Sequence, residues 1–253
     1  MDNPIQTNRS GMLLGIFLAV GLIIGSWVLG AEIKETRLGD RYVTVKGLVE
    51  RSVKSDLAIW PLSYKEAGDD LSSVYAKTEA DKQAILQFLS QQGLKTPEIE
   101  LGVVRVVDTQ ANEFGGTRAP HRYVVEQQIT VRSPQVDQVS AAAQKTMQLL
   151  QKGIVLNSNP GQGLIYKFNG LNAIKPDMIT EATRNARAAA DRFASDSGSR
   201  VGSIRQANQG VFSILSADQG SNTGEAGESN FSADSSVMKT VRVVTSVEYY
   251  LDK

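Results

Sequence analysis

An α+β fold, with antiparallel strands, about three helices packed on the sheet and one N-terminal transmembrane helix ahead of them, follows from three features of the sequence. Segments rich in β-branched and aromatic residues, several alternating with period two, recur along the chain. Between them lie stretches whose apolar residues return every three or four positions. An uncharged apolar run, Ser10 to Ala31, precedes all of this and is long enough to cross a hydrocarbon layer of roughly 30 Å as a helix. The order strands, helix, two strands, helix, short strand, helix, two strands places helices on one face of a largely antiparallel sheet.

The first nine residues form a polar tail, and residues 10–31 are either a membrane anchor or a signal peptide. The apolar run exceeds the roughly 7–15 residues of a signal core and "WVLGA" offers no A-x-A cleavage site, which favours an uncleaved anchor. Gly11, Gly15, Gly21 and Gly25 fall within about a 120° arc of one helix face, a geometry suited to helix packing and also common in membrane helices generally. Basic residues near the segment (Arg9 before it; Lys34, Arg37, Arg41 and Lys46 after it) weakly favour a cytoplasmic body.

Residues 32–41 are a polar connector, and 42–253 form the folded domain. "RYVTVKGLVERSVKSDLAIWPLSY" has the look of a hairpin broken near Gly47 and Lys54–Asp56. A helix is predicted from Asp70 to Gln92, with Leu71, Val74, Tyr75, Ile85, Leu86 and Leu89 at helical spacing and Gly93 as its stop. "EIELGVVRVVD" reads as one strand. After the loop "TQANEFGGTRAP", "HRYVVEQQITVR" reads as a half-buried strand with Tyr123, Val125, Ile129 and Val131 on one face.

A second helix is predicted from Gln135 to Lys152 on the stripe Val136, Val139, Ala143, Met147 and Leu150, stopped by Gly153. "LIYKF" is a short strand. The third helix places Pro176 in its first turn and ends before Gly198, with Ile179, Ala182, Ala186, Ala190, Phe193 and Ala194 on one side. So many alanines suit a helix whose backbone lies close to a sheet or another helix, and alanine is also the best helix former. "SIRQANQGVFSIL" reads as strand and residues 216–236 as a flexible loop rich in small polar residues. "KTVRVVTSVEYYL" is the final strand, with Val241, Val243, Val247, Tyr249 and Leu251 inward.

Composition removes several chemistries. The chain has no cysteine, so disulfides, zinc-thiolate sites, iron–sulfur clusters and cysteine nucleophiles are impossible. Lysine plus arginine equals aspartate plus glutamate at 27 each, with no long block of either sign, which argues against a nucleic-acid partner. His121 is the one histidine, so any Ser–His–Asp arrangement would have to use it, and no G-x-S-x-G elbow exists. "PGQGLIY" fails as a dinucleotide loop because Tyr166 stands at the third glycine and a strand follows. The run from Asp218 fails as a calcium loop, with Thr223 and Ser229 at its glycine and glutamate positions. Asn8-Arg9-Ser10 and Asn230-Phe231-Ser232 match the glycosylation triplet, which often arises by chance. Glu181 with Arg184, and Arg187 with Asp191, read as solvated helix-face pairs. No catalytic, cofactor-binding or metal-binding residue is expected, and the chain reads as a non-enzyme without cofactors.

"YKFNGLNAIKPDMITEATRNARAAADRFASDSGSRVGSIRQANQGVFSI" resembles the bacterial SIMPL-domain family, most specifically in the alanine-rich helix followed by Gly198, Gly202 and Ile204. The segment 42–64, with Val45-Lys46-Gly47 and Asp56-Leu57-Ala58, is similar to the family's opening strands, and "EIELGVVRV", "YVVEQQITVRS" and "TVRVVTSVEYYL" to later ones. The resemblance implies a SIMPL-like α+β domain over about residue 42 to the end, in the cell envelope. It places the body in the periplasm on a single-pass inner-membrane anchor, against the basic-residue count.

One relative forms a ring- or channel-like homo-oligomer, which implies self-assembly here, with the membrane as the other partner. The alternative is a monomeric periplasmic domain that binds a protein or small ligand and is linked to envelope or oxidative stress. This chain's lack of cysteine leaves no evident chemistry for direct peroxide removal.

Overall fold

The structure, a computed structural model, describes residues 15, 17–27, 41–111, 120–157, 163–217 and 234–252. Strand β1 (Tyr42–Lys54) and β2 (Leu57–Gly68) are followed by helix α1 (Leu71–Gln91), β3 (Ile99–Leu101), β4 (Arg105–Asp108) and β5 (Tyr123–Ser133). Helices α2 (Val136–Ala143) and α3 (Met147–Gln151), strands β6 (Leu156–Asn157) and β7 (Ile165–Lys167), and helix α4 (Leu171–Asp196) come next. Strands β8 (Arg200–Gln209), β9 (Ser213–Ser216) and β10 (Met238–Asp252) complete an α+β chain in which β10 pairs antiparallel with β8 and β9, β2 with β5, β6 and β7, and β5 with β3 and β4. Among the described residues from Arg41 onward there are four helices where about three are predicted, because the 135–152 helix is broken.

The apolar segment is described only at Gly15 and Phe17–Trp27, which are helical, and the rest of Ser10–Ala31 lies outside the described residues. Among the described residues no helix is long and apolar enough to cross a membrane. The connector lies outside the described residues except for Arg41, as do residues 218–233 of the 216–236 loop.

The chain divides into two compact units, Met1–Leu48 with Ile179–Gly210 and Val244–Lys253, and Val49–Met178 with Val211–Val243. In the second unit, β2 and β5 pair without interruption from Ala58↔Ser133 to Gly68↔Tyr123. Strand β5 buries Val125, Gln127, Ile129, Val131 and Ser133 at alternate positions, as a period-two strand must. The faces of β2 and β5 bearing Trp60, Leu62, Tyr64, Ile129 and Val131 join Ile85, Phe88 and Leu89 of α1, and Val136, Val139 and Ala142 of α2, in one apolar core. Asp70 caps α1 by accepting the Ser73 N–H at 2.8 Å.

Four expectations are corrected in this unit. The opening strands are not a hairpin, since β1 pairs with β10 and β2 with β5, β6 and β7. Between them Ser55 N–H donates to the Val237 carbonyl and Asp56 N–H to that of Lys167. The Asp56 carboxylate accepts from the backbone N–H groups of Asn169 and Gly170 and from the Asn169 amide, at 2.8 to 3.0 Å. These bonds route the chain onward instead of back, and they also hold the start of α4 at Leu171. Pro176 therefore lies inside α4, one turn beyond its predicted place.

The single strand 98–108 is β3 and β4, both on β5, and the register shifts by one residue between Leu101↔Ile129 and Arg105↔Glu126. That shift is a bulge between Gly102, whose N–H still donates to Gln128 O at 2.8 Å in the register of β3, and Arg105. The 135–152 helix breaks at Gln144–Thr146, where three-residue turns such as Lys145 N–H to Ala142 O tighten the coil. The apolar stripe then rotates, so Leu149 is buried while Met147 and Leu150 are exposed.

In the first unit β10 lies between β1 and β8. Val45, Ala186, Ala190, Val247 and Tyr249 form its core. Gly47 is not a break but a point of contact. A Cβ there would stand 1.9 Å from the Ala182 carbonyl oxygen and 2.8 Å from Ala186 N, so the backbones of β1 and α4 touch directly. This is the close approach that the alanines predict. Met178 joins Ala182, Ala186, Ala190 and Ala194 in the buried row, whereas Phe193 is exposed and Ile179 only half-buried. Strands β8 and β9 replace the single predicted strand, interrupted at Gly210–Phe212. Gly93, Gly153 and Gly198 have φ of 81, 80 and 66°, the left-handed stops expected after the three helical stretches.

Gly47→Val is expected to cost at least about 2 kcal/mol of stability, because a backbone oxygen cannot yield as a side chain can. Asp56→Ala is expected to cost about 1–2 kcal/mol through three lost acceptor bonds. Urea denaturation followed by circular dichroism measures both, and wild-type stability in Gly47→Val would exclude the direct backbone contact.

Candidate functional site

Several polar side chains of the second unit are turned to structure. Tyr64, on β2, donates from its hydroxyl to Gln127 Oε1 at 2.7 Å, and the Gln127 amide donates to the Gly102 carbonyl at 3.3 Å. One tyrosine thereby ties β2 to β5 and to the bulge beside it. Thr78 donates back to Val74 O within α1, and Lys77 bridges Glu66 and Asp81 at 2.7 and 3.2 Å. Burial, then the nearby Asp81 and Glu79 carboxylates, push the Tyr64 phenol up, so it remains a proton donor rather than a phenolate. Gln127, on the buried face of β5, was the member of this network that alternation could reveal. Its neighbours in sequence give no sign of its partner 63 positions away.

Lys239 occupies an inward position of β10 and is 1 % exposed. Burial is the largest influence on its ammonium and pulls it below the usual lysine range, with Asp234 acting in the opposite sense.

The sequence-selected residues do not converge. His121 is half exposed, with Nδ1 3.8 Å from Asp69 Oδ2. The neighbouring Thr109 hydroxyl donates to the backbone carbonyl of His121, at 2.8 Å, rather than to its ring. Among the described residues no group of three or more His, Cys, Asp and Glu side chains could hold a metal ion. Arg187 extends over the Tyr249 ring, 5.6 Å from its centroid. The rest of "PGQGLIY" before Gly163, the Asp218 run and both glycosylation triplets lie outside the described residues.

What the two units offer instead is surface. In the second, the bulged edge made by β3 and β4 carries Leu101, Val103 and Val106 at 51, 92 and 49 % exposure. A row of apolar side chains on an edge strand is what natural sheets usually avoid by placing charges there. A groove of about 550 Å³ in the same unit is lined by Trp60, Leu62, Met147, Leu150, Val155 and Leu164, among others. On this side of β2, pairing with β7 ends at Ile59 and pairing with β6 begins at Ser63. Pro61, which has no N–H to strand, lies in the gap. In the first unit, β8 is an edge strand whose side chains from Ser203 to Gln209 are all exposed.

Lys239 generates a prediction about pH. A lysine whose folded value is depressed releases its proton earlier in the folded chain than in the unfolded one. Between those two values the unfolded chain binds more protons, and stability rises with pH. The unfolding free energy of the wild type, relative to Lys239→Met, should therefore increase from neutral pH towards about pH 10. Urea titrations across that range test this, and parallel curves would mean that the ammonium is not desolvated.

A comparison with curated proteins gives no match. A family model matches residues 43–249, a span that takes in β1 through all but the end of β10 and with them both units. Its description is SIMPL, protein of unknown function (DUF541). With the alanine-lined α4, the Gly47 contact and the flanking strands all inside that span, the chain belongs to the SIMPL family.

Proposed function

We propose that this is a non-enzymatic, membrane-anchored protein of the bacterial envelope whose SIMPL domain self-assembles into a homo-oligomeric, ring- or channel-like scaffold. The observation that carries the reading is the apolar edge at Leu101, Val103 and Val106. Unpaired backbone groups and exposed valines along one edge suit a second copy of a sheet edge better than they suit water. The uncharged run Ser10–Ala31 supports the anchor, and the resemblance of the domain from about residue 42 onward to envelope proteins supports a periplasmic body on the inner membrane. An anchor also confines copies to two dimensions, which raises their effective concentration without any new contact.

A monomeric binding domain is the second reading. It is favoured by the groove beside Trp60, whose volume is in the range of small-molecule sites.

The full-length protein, extracted in mild detergent, is expected to have a discrete multimeric mass, and Val103→Lys with Val106→Lys to reduce it to the monomer at unchanged thermal stability. A wild-type monomer would overturn the scaffold and leave the binding domain. A multimer that survives both lysines would move the interface away from this edge.

A further inference from the structure

A second feature of the Val49–Met178 unit points to a ligand of different chemistry. At the end of β1 and the start of α2, a cleft of about 390 Å³ is lined by Lys54, Ser55, Pro134, Gln135, Val136, Asp137 and Gln138. Ser55 is 4 % exposed, and its hydroxyl has no hydrogen-bond partner. A buried hydroxyl left unpaired is destabilising, so its persistence needs a reason. Helix α2 begins beside it without a side-chain cap, since Gln135 makes no such bond. The N–H groups of Gln135, Val136, Gln138 and Val139 are taken by Ser133 Oγ, Pro134 O and Gln135 O. Among the described residues this leaves the N–H of Asp137 as the open donor of the first turn.

The charges of the cleft decide what it can take. Lys54 Nζ and the Asp137 carboxylate are ion-paired, and both side chains are exposed. An anion that drew Lys54 to itself would leave Asp137 uncompensated next to it, at the same helix end. A cation that drew Asp137 away would leave Lys54 in the same position. A ligand bearing both signs can enter between them with each charge still matched. We propose that this cleft binds a small zwitterion of the free α-amino-acid class. Its carboxylate is received by Lys54, the Ser55 hydroxyl and the first turn of α2, and its ammonium by Asp137. The volume leaves room for a side chain, which would meet Pro134, Val136 and the Gln135 amide. The site is independent of the self-association proposed above.

The test is equilibrium dialysis of the full-length protein in mild detergent against an equimolar mixture of the proteinogenic amino acids at neutral pH. Parallel cells contain acetate, methylamine or inorganic phosphate, and retained solute is measured by chromatography. At least one amino acid should be retained, up to one molecule per chain, and acetate and methylamine at least about tenfold more weakly. Ser55→Ala and Asp137→Asn should each lower that retention by about tenfold or more. Asp137 is exposed, so its variant keeps the fold even if the buried Ser55 position proves sensitive.

The proposal fails if no amino acid is retained above its free concentration. It fails equally if acetate or phosphate is retained as well as any amino acid, or if Ser55→Ala changes stability but not retention. The mass of each sample, read alongside, keeps the outcome separate from that of the scaffold.

Discussion

The carboxylate of Asp56 is the constraint on which the arrangement turns. It sits two residues beyond β1 and one before β2, at the point where the chain leaves one set of strand partners for another. By accepting from Asn169 and Gly170 it fastens this crossing to a segment 113 and 114 positions away. The same three bonds set where α4 begins, and α4 in turn supplies the alanine row on which Gly47 rests. A charged acceptor holding backbone N–H groups is among the stronger hydrogen bonds available to a protein, which suits it to fixing such a crossing.

The chemistry that the fold contains is directed inward and held still. Tyr64, Gln127 and the Gly102 carbonyl form a chain of donors and acceptors across adjacent strands, and the phenol is kept protonated by its surroundings. Such a network specifies register, because a slip of one residue would bring Glu126 or Gln128 opposite Tyr64 and leave Gln127 on the other face. The same apolar β5 positions that pack the core therefore share their face with one amide that fixes the alignment.

Much of this was legible in the sequence where a rule acts locally. Helix α1 lies within one residue of its predicted ends because Asp70 and Gly93 act on their own turns, and β10 shows the expected inward valines. The row of alanines correctly implied a close backbone approach, although its partner, Gly47, read as a break. Errors fall where distant residues intervene. The Asp56 bonds turned an apparent hairpin into a crossing and moved the start of α4 ahead of Pro176. A break of three residues rotated the later stripe, so Met147 and Leu150 face outward. The apolar edge was hidden for a related reason: Leu101, Val103 and Val106 read as ordinary strand residues until pairing places β3 and β4 at the rim of the sheet. Ser55 gave no signal at all, since an unpaired hydroxyl is a property of the surroundings and not of the residue.

The position of β10 bears on how the chain comes to be folded. Strand β1 is among the earliest parts of the domain to be synthesised, and its neighbour in the sheet is the last strand, with the Leu251 N–H bonded to the Arg41 carbonyl. During synthesis the first strand must therefore wait for almost the whole domain before its ladder can close. The Val49–Met178 stretch, in contrast, contains both members of the long β2–β5 pairing and can begin to organise earlier. Joining β1 to β10 closes a loop of some 200 residues, a closure that has to wait until the last strand of the domain has been made.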